Sequence, residues 1–117
     1  MALHIELGAK GEQLAEEYFN GLGYTILHKN WRNGRYEIDL IAEKKGILHF
    51  IEVKTRRSHK FGYPEDDVDR TKLRYLIIAG DNFVQQNPKW KRIQFDILAI
   101  TIVGETPQYL LIQDVYL

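Results

Sequence analysis

The sequence predicts an α/β fold in the order α-β-β-β-α-β-β, with helices packed against a mixed sheet. Three features carry that expectation. Two segments of helical periodicity stand far apart in the chain, and two strand-like runs joined as a hairpin lie between them. Near the C-terminus, Arg92–Val103 becomes apolar on both faces, as befits a central strand covered by helices on either side. At 117 residues the chain is expected to form a single domain, 1–117, large enough for a real core and too short for a second one.

Taken in order, the first helix is expected from about Glu6 to Leu22. Leu7, Leu14, Ala15, Tyr18 and Leu22 recur there at helical spacing, with Gly11 on the same stripe. Gly21 and Gly23 end it, and Tyr24–His28 reads as a short strand. The polar stretch NWRNGR is expected to be a loop. Two strand-like runs follow, Tyr36–Glu43 and Ile47–Thr55, joined at Lys44-Lys45-Gly46 with the chemistry of a hairpin turn. Arg57–Pro64 reads as a loop. Asp66, Asp67 and Asp69 then offer capping and first-turn acids to a second helix, Asp69 to Gln85, whose stripe is Leu73, Leu76, Ile77, Phe83 and Val84. Gly80 falls within that stripe and argues against its continuity. After Asn87-Pro88 comes the two-sided strand, and Tyr109–Leu117 closes the order.

Composition narrows the classes. Apolar residues make up 44% and charged residues 27%, ordinary values for a globular protein. No apolar run approaches the roughly 20 residues of a membrane span, and MALHIELGAKGE has no continuous apolar stretch of signal-peptide type. A cytoplasmic protein with no membrane association is therefore expected. The absence of cysteine excludes disulfides, thiolate metal sites and a thiol nucleophile. Sixteen basic residues balance sixteen acidic ones, which argues against indiscriminate coating of nucleic acid. The distribution is uneven, however. KTRRSHK, from Lys54 to Lys60, carries no acid, whereas the first helix concentrates Glu6, Glu12, Glu16 and Glu17.

The chemistry-bearing residues lie on the hairpin. Strand alternation puts Glu37, Asp39 and Ile41 on one face, and Phe50, Glu52 and Lys54 on one face of the next run. A two-residue turn, or a bulge at Gly46, would bring Asp39 and Glu52 together, roughly 5–8 Å apart at Cβ. Two carboxylates that close repel unless a cation lies between them. Mg²⁺ takes one or two carboxylates plus waters and a phosphate oxygen. Asp39, Glu52 and the carbonyl of Val53 could supply oxygens, with Lys54 orienting a water or stabilising charge on phosphorus. Acid-x-Lys alone is weak, since about one is expected by chance and Glu43-x-Lys45 is a second in this chain. Its setting strengthens it: an acid on the adjacent strand, apolar surroundings (ILHFIEV, IDLIA) and a basic stretch directly after.

GAKGEQLAEEYFNGLGYTILHKNWR, EIDLIA, FIEVKTR and FGYPEDDVDRTK occur in that order between about Gly8 and Ile100. Together they resemble the YraN-type family of small bacterial proteins, regarded as endonucleases related to archaeal Holliday-junction resolvases. The resemblance implies a restriction-endonuclease-like, PD-(D/E)xK core and metal-dependent (Mg²⁺ or Mn²⁺) hydrolysis of DNA, with branched or Holliday-junction DNA as the candidate substrate. It further implies that Asp39 and Glu52 are metal ligands, Lys54 the catalytic lysine and Glu12 a glutamate that completes the site. Tyr36 departs from the family pattern, which has glycine before Glu-Ile-Asp.

Other residues are weighed against ordinary structural roles. Glu12 is at the edge of its helix's stripe, and Glu37 is a candidate second acid on Asp39's face. Among the basic residues, Arg56 directly follows the catalytic strand and suits a phosphate contact; Arg57 and Lys60 fit a solvated loop equally well. Lys72 borders the second helix's stripe and is expected to contact the nucleic-acid backbone. Trp31 and Tyr63 read as packing residues, and His28, His49 and His59 lack metal-ligand spacing. Tyr75 and Ile78 fall off the core stripe and could serve a homodimer contact. The competing reading is a catalytically silent nucleic-acid-binding or assembly module on a nuclease fold. A plain scaffold would not cluster Asp39, Glu52 and Lys54.

Overall fold

A computed structural model describes residues 2–57 and 69–116, with side chains from Leu7 onward. The elements run α1 (Ala2–Gly21), β1 (Thr25–Asn33), β2 (Tyr36–Lys44), β3 (Ile47–Arg57), α2 (Arg70–Gln86), β4 (Ile93–Val103) and β5 (Thr106–Ile112). The expected α-β-β-β-α-β-β order is therefore present. The strands form one sheet in chain order, β1-β2-β3-β4-β5. Among the described residues only β3 and β4 pair in parallel, with α2 between them in sequence, so the sheet is mixed.

The two helices cover opposite faces, because alternation along the central strands feeds two cores. Ala15 and Phe19 of α1 pack with Leu40, Ala42, Ile51, Leu98, Ile100 and Ile102. Leu73, Leu76, Ala79 and Phe83 of α2 pack with Ile38, Ile41, Leu48 and Phe50. Hence β3 and β4 read as near-continuous apolar runs. Asp69 caps α2 as expected, its Oδ1 accepting from Thr71 N–H at 2.8 Å and Lys72 N–H at 3.4 Å.

Several boundaries depart from the sequence reading. The polar NWRNGR is not a loop for the most part: β1 continues through Asn33, and only Gly34-Arg35 turns. An edge strand needs few apolar residues, and here Trp31 suffices by packing its ring edge-on to Phe83 at 5.2 Å. Helix α1 starts earlier, at Ala2, and β5 runs Thr106–Ile112 rather than Tyr109–Leu117. Helix α2 passes through Gly80 unbroken, because the missing side chain makes room for a ring. A Cβ there would stand 2.6 Å from Phe95 and 3.0 Å from Phe50. Lys60, Tyr63, His59, Asp66 and Asp67 lie outside the described residues.

Candidate active site

The β2–β3 turn decides the geometry. Lys44 pairs with Ile47, so the loop is the two residues Lys45 and Gly46, with φ of 53° and 81°. Both are left-handed, as a type I′ turn demands, and Glu43 Oε2 accepts from Gly46 N–H at 2.9 Å. That register carries Leu40 opposite Ile51, where the backbone ladder stops. One further step would set Asp39 against Glu52.

At that step the strands part. Lys29↔Leu40 and Trp31↔Ile38 are paired, and between them Asn30 takes a left-handed φ of 51°. Side-chain alternation slips there: Leu40 belongs to the α1-side core, yet Ile38 belongs to the α2-side core. Asp39 is therefore not simply a neighbour of Glu37 and Ile41 on one face, as regular alternation would have it. Its carboxylate turns into the opening and takes the place of a ladder acceptor, Val53 N–H donating to Asp39 Oδ2 at 2.8 Å. The N–H and C=O of an extended residue point to the same side, so the Val53 carbonyl faces the same gap.

The Glu52 carboxyl, next along β3, lies beside that of Asp39, and each acts on the other. Burial is the main reason that the Glu52 carboxyl is pushed up to about 8, with the negative charge of Asp39 adding to it. Lys72 and Lys54 oppose that shift, Lys72 more strongly. Asp39 is also raised, again chiefly by burial, and the charges of Glu37 and Glu12 push in the same direction. The pair is thus two half-buried carboxyls side by side, where two negative charges repel and a proton is favoured.

Glu12 reaches this place through a close helix–strand approach. Gly11 lies against Thr55 on β3, and a Cβ at Gly11 would overlap Thr55 Oγ1 and stand 2.9 Å from its Cβ. With α1 seated so closely, Glu12 lines a cleft with Asp39, Val53 and Thr55. Glu37 is near enough to act on Asp39, but its carboxylate is engaged by Arg32 at 2.7 Å across β1–β2. Arg56 lies half-buried on β3 opposite Thr101, two residues beyond Lys54.

Asp39, Glu52, Val53, Lys54, Glu12 and Lys72 therefore converge on one end of the sheet. Sequence reasoning missed how near Lys72 comes to Glu52, having placed it only on the DNA backbone. The slip opposite Asn30 was missed too, although asparagine is among the non-glycine residues that most readily adopt positive φ and was a usable signal. Among the described residues no three His, Cys, Asp or Glu side chains form a metal-binding group. The pair alone meets the demand of Mg²⁺, which commonly takes one or two carboxylates and keeps its waters.

The profile described as "Uncharacterised protein family UPF0102" matches residues 11–100. The chain is 39% identical over 109 residues to a UPF0102 protein of Bacteroides fragilis, covering 93% of this chain and 88% of that one. It is 44% identical over 100 residues to one from Flavobacterium psychrophilum, covering 86% and 84%. A relative from Caldicellulosiruptor saccharolyticus is 44% identical over 96 residues, 81% of each chain. The chain belongs to UPF0102, the YraN-type family.

Proposed function

We propose that this chain is a metal-dependent endonuclease that hydrolyses DNA phosphodiester bonds, with branched or Holliday-junction DNA as its candidate substrate. The observation that carries the reading is the placing of the Asp39 carboxylate, held by Val53 N–H at 2.8 Å in a cleft with Glu12, beside the half-buried Glu52, with Lys54 and Lys72 acting on that pair. Asp39 on β2 and Glu52-x-Lys54 on β3, framed by an α-β-β-β-α-β order, support a PD-(D/E)xK core.

The donor set fits a hard divalent ion: two carboxylates and the Val53 carbonyl are all oxygens. When bound, Mg²⁺ or Mn²⁺ would supply a water of lowered pKa and charge neutralisation at the phosphate. The chain's own residues do the rest. Asp39 is held by the Val53 N–H, so its orientation is set before substrate arrives. Glu52, the other carboxylate of the pair, would hold the cation together with Asp39. The Lys54 ammonium orients the attacking water or stabilises the charge growing on phosphorus. Glu12, across the cleft on α1, completes the acidic wall. Lys72 and Arg56 contact DNA phosphates and fix its register. No described helix is long and apolar enough to cross a membrane.

The test is Mg²⁺- or Mn²⁺-dependent cleavage of linear, nicked and four-way DNA. Asp39→Asn and Lys54→Ala are each expected to lose at least about 10²-fold in rate, the scale for one electrostatic group in a site. Cleavage that survives both substitutions places the activity elsewhere. Salt-sensitive binding without cleavage by the wild type would instead leave a silent DNA-binding module.

A further inference from the structure

Beside the acidic pair, the protein carries a partly exposed aromatic cluster that the proposed chemistry does not use. Tyr36 begins β2, and its ring meets that of Tyr75 on α2 edge-to-face, with centroids 5.3 Å apart. The Arg35 guanidinium lies across both rings, 5.3 Å from one centroid and 5.5 Å from the other. It also donates to the Tyr36 hydroxyl at 3.4 Å. Tyr75 is 38% exposed, so its ring is not consumed by the core.

The charges around this cluster favour a polyanion. Arg70, Lys72 and Arg74 stand in the first turns of α2, all exposed, and no acid lies in its first turn. Cations at a helix N-terminus oppose the helix dipole and weaken the helix, so helix stability does not account for them. Lys72 precedes Tyr75 by three residues, which puts the two on one side of the helix, and the charge of Lys72 acts on Glu52. On the strand side Tyr36 is three residues from Asp39, about 10 Å along an extended chain. At 3.4 Å per base step along DNA, that is roughly three nucleotides.

We propose that Tyr36, Tyr75 and Arg35 form a stacking platform for one unpaired nucleobase, held a few nucleotides from the bond presented to Asp39 and Glu52. Aromatic rings and guanidinium planes stack on any base face, but only on a base that is out of the duplex. The substrate class is therefore DNA with a single-stranded or displaced nucleotide beside the cleaved bond: a gap, a fork or a branch point. Placing that base next to a cut rests on the endonuclease reading, whereas the platform itself binds without chemistry.

The experiment uses the full chain in EDTA, with gapped and forked DNA carrying 2-aminopurine at the unpaired position and continuous duplex as control. Stacking quenches the probe, and the wild type is expected to quench it and to prefer the gapped DNA. Tyr75→Ala is expected to reduce that preference at least about fivefold, the lower end for one stacked base. Tyr75→Phe keeps it, which separates loss of the ring from loss of the fold. Unchanged quenching and preference in Tyr75→Ala would overturn the platform. So would a wild-type dimer in sedimentation that Tyr75→Ala dissolves, since that face would then meet a second copy. Cleavage with Mg²⁺ but without quenching leaves the nuclease reading standing and removes the platform. Quenching without cleavage does the reverse.

Discussion

Two acidic sites of this sheet lie one register step apart on neighbouring strands and are built in opposite ways. Asp96 on β4 pairs with Ile51, and Glu52 pairs with Ile97. Asp96 is fully buried and surrounded by donors: His49 Nδ1 lies 2.7 Å from its Oδ2, and Oδ1 accepts from Gln94 Nε2 at 2.9 Å and Asp114 N–H at 3.0 Å. Tyr24 closes over the His49 ring at 5.0 Å. Asp39, by contrast, has the Val53 N–H and otherwise the carboxyl of Glu52. A buried acid that holds the fold together is given donors, as Asp96 is. An acid pair left facing itself is stable only with a proton or a cation, and that deficiency is what makes it a candidate site.

The comparison is broken or sharpened most strongly at Asp96. Asp96→Ala strands the His49, Gln94 and Asp114 donors in or near the core, and of the C-terminal segment's ties to β4 it removes Asp114 N–H to Asp96 while leaving Val115 N–H to the Phe95 carbonyl. A loss of at least about 3 kcal/mol is expected, read by denaturant or thermal unfolding as a fall in Tm on the order of 10 °C. A loss no larger than that of an exposed acid would refute the structural role given to this cluster.

The acidic pair should respond in the other direction. Folding raises Glu52 from 4.5 to about 8, so the folded chain holds this proton more tightly than the unfolded one. Its contribution to stability is complete below pH 4.5 and is lost as pH climbs through about 8. The metal-free protein should accordingly lose stability across that window, and Mg²⁺ should raise Tm more at pH 8 than at pH 6. Glu52→Gln removes both effects. At pH 8 it should leave the metal-free protein more stable than the wild type by on the order of 4 °C, the shift that ~1 kcal/mol produces in a domain of this size. Melting curves with EDTA and with Mg²⁺ measure this, and a wild-type Tm indifferent to Mg²⁺ at pH 8 would count against a metal site.

The smallest effect concerns how α1 is seated. Gly11→Ala drives a methyl into Thr55 and should cost about 1–3 kcal/mol by overpacking, with Glu12 moved away from the pair. Gly8→Ala is the control one helical turn earlier. Nothing lies within 4 Å of a Cβ there, so it should be neutral or stabilise by about 0.4–1 kcal/mol. Equal melting temperatures for the two variants would show that the close approach of α1 to β3 does not constrain the helix.

Pattern alone determined a good deal. Helical and strand periods gave the element order, because burial on one or two faces leaves its mark on every second or every third to fourth residue. The two-sided apolar run marked β4 as central, and acids on adjacent strands with Glu52-x-Lys54 nominated the site. What pattern could not supply was anything depending on contacts distant in the chain. The extent of β1 rested on Trp31 meeting Phe83, and the tolerance of α2 for Gly80 rested on Phe95 needing the space. The site's decisive features are of that kind too. Side-chain alternation slips at Asp39 opposite a left-handed Asn30, the Val53 N–H holds the Asp39 carboxylate, and Lys72 arrives from a helix twenty residues further on. Local preferences write themselves into sequence spacing, whereas the approach of two carboxyls is set by register, strand distortion and helix seating, which exist only once the chain has folded.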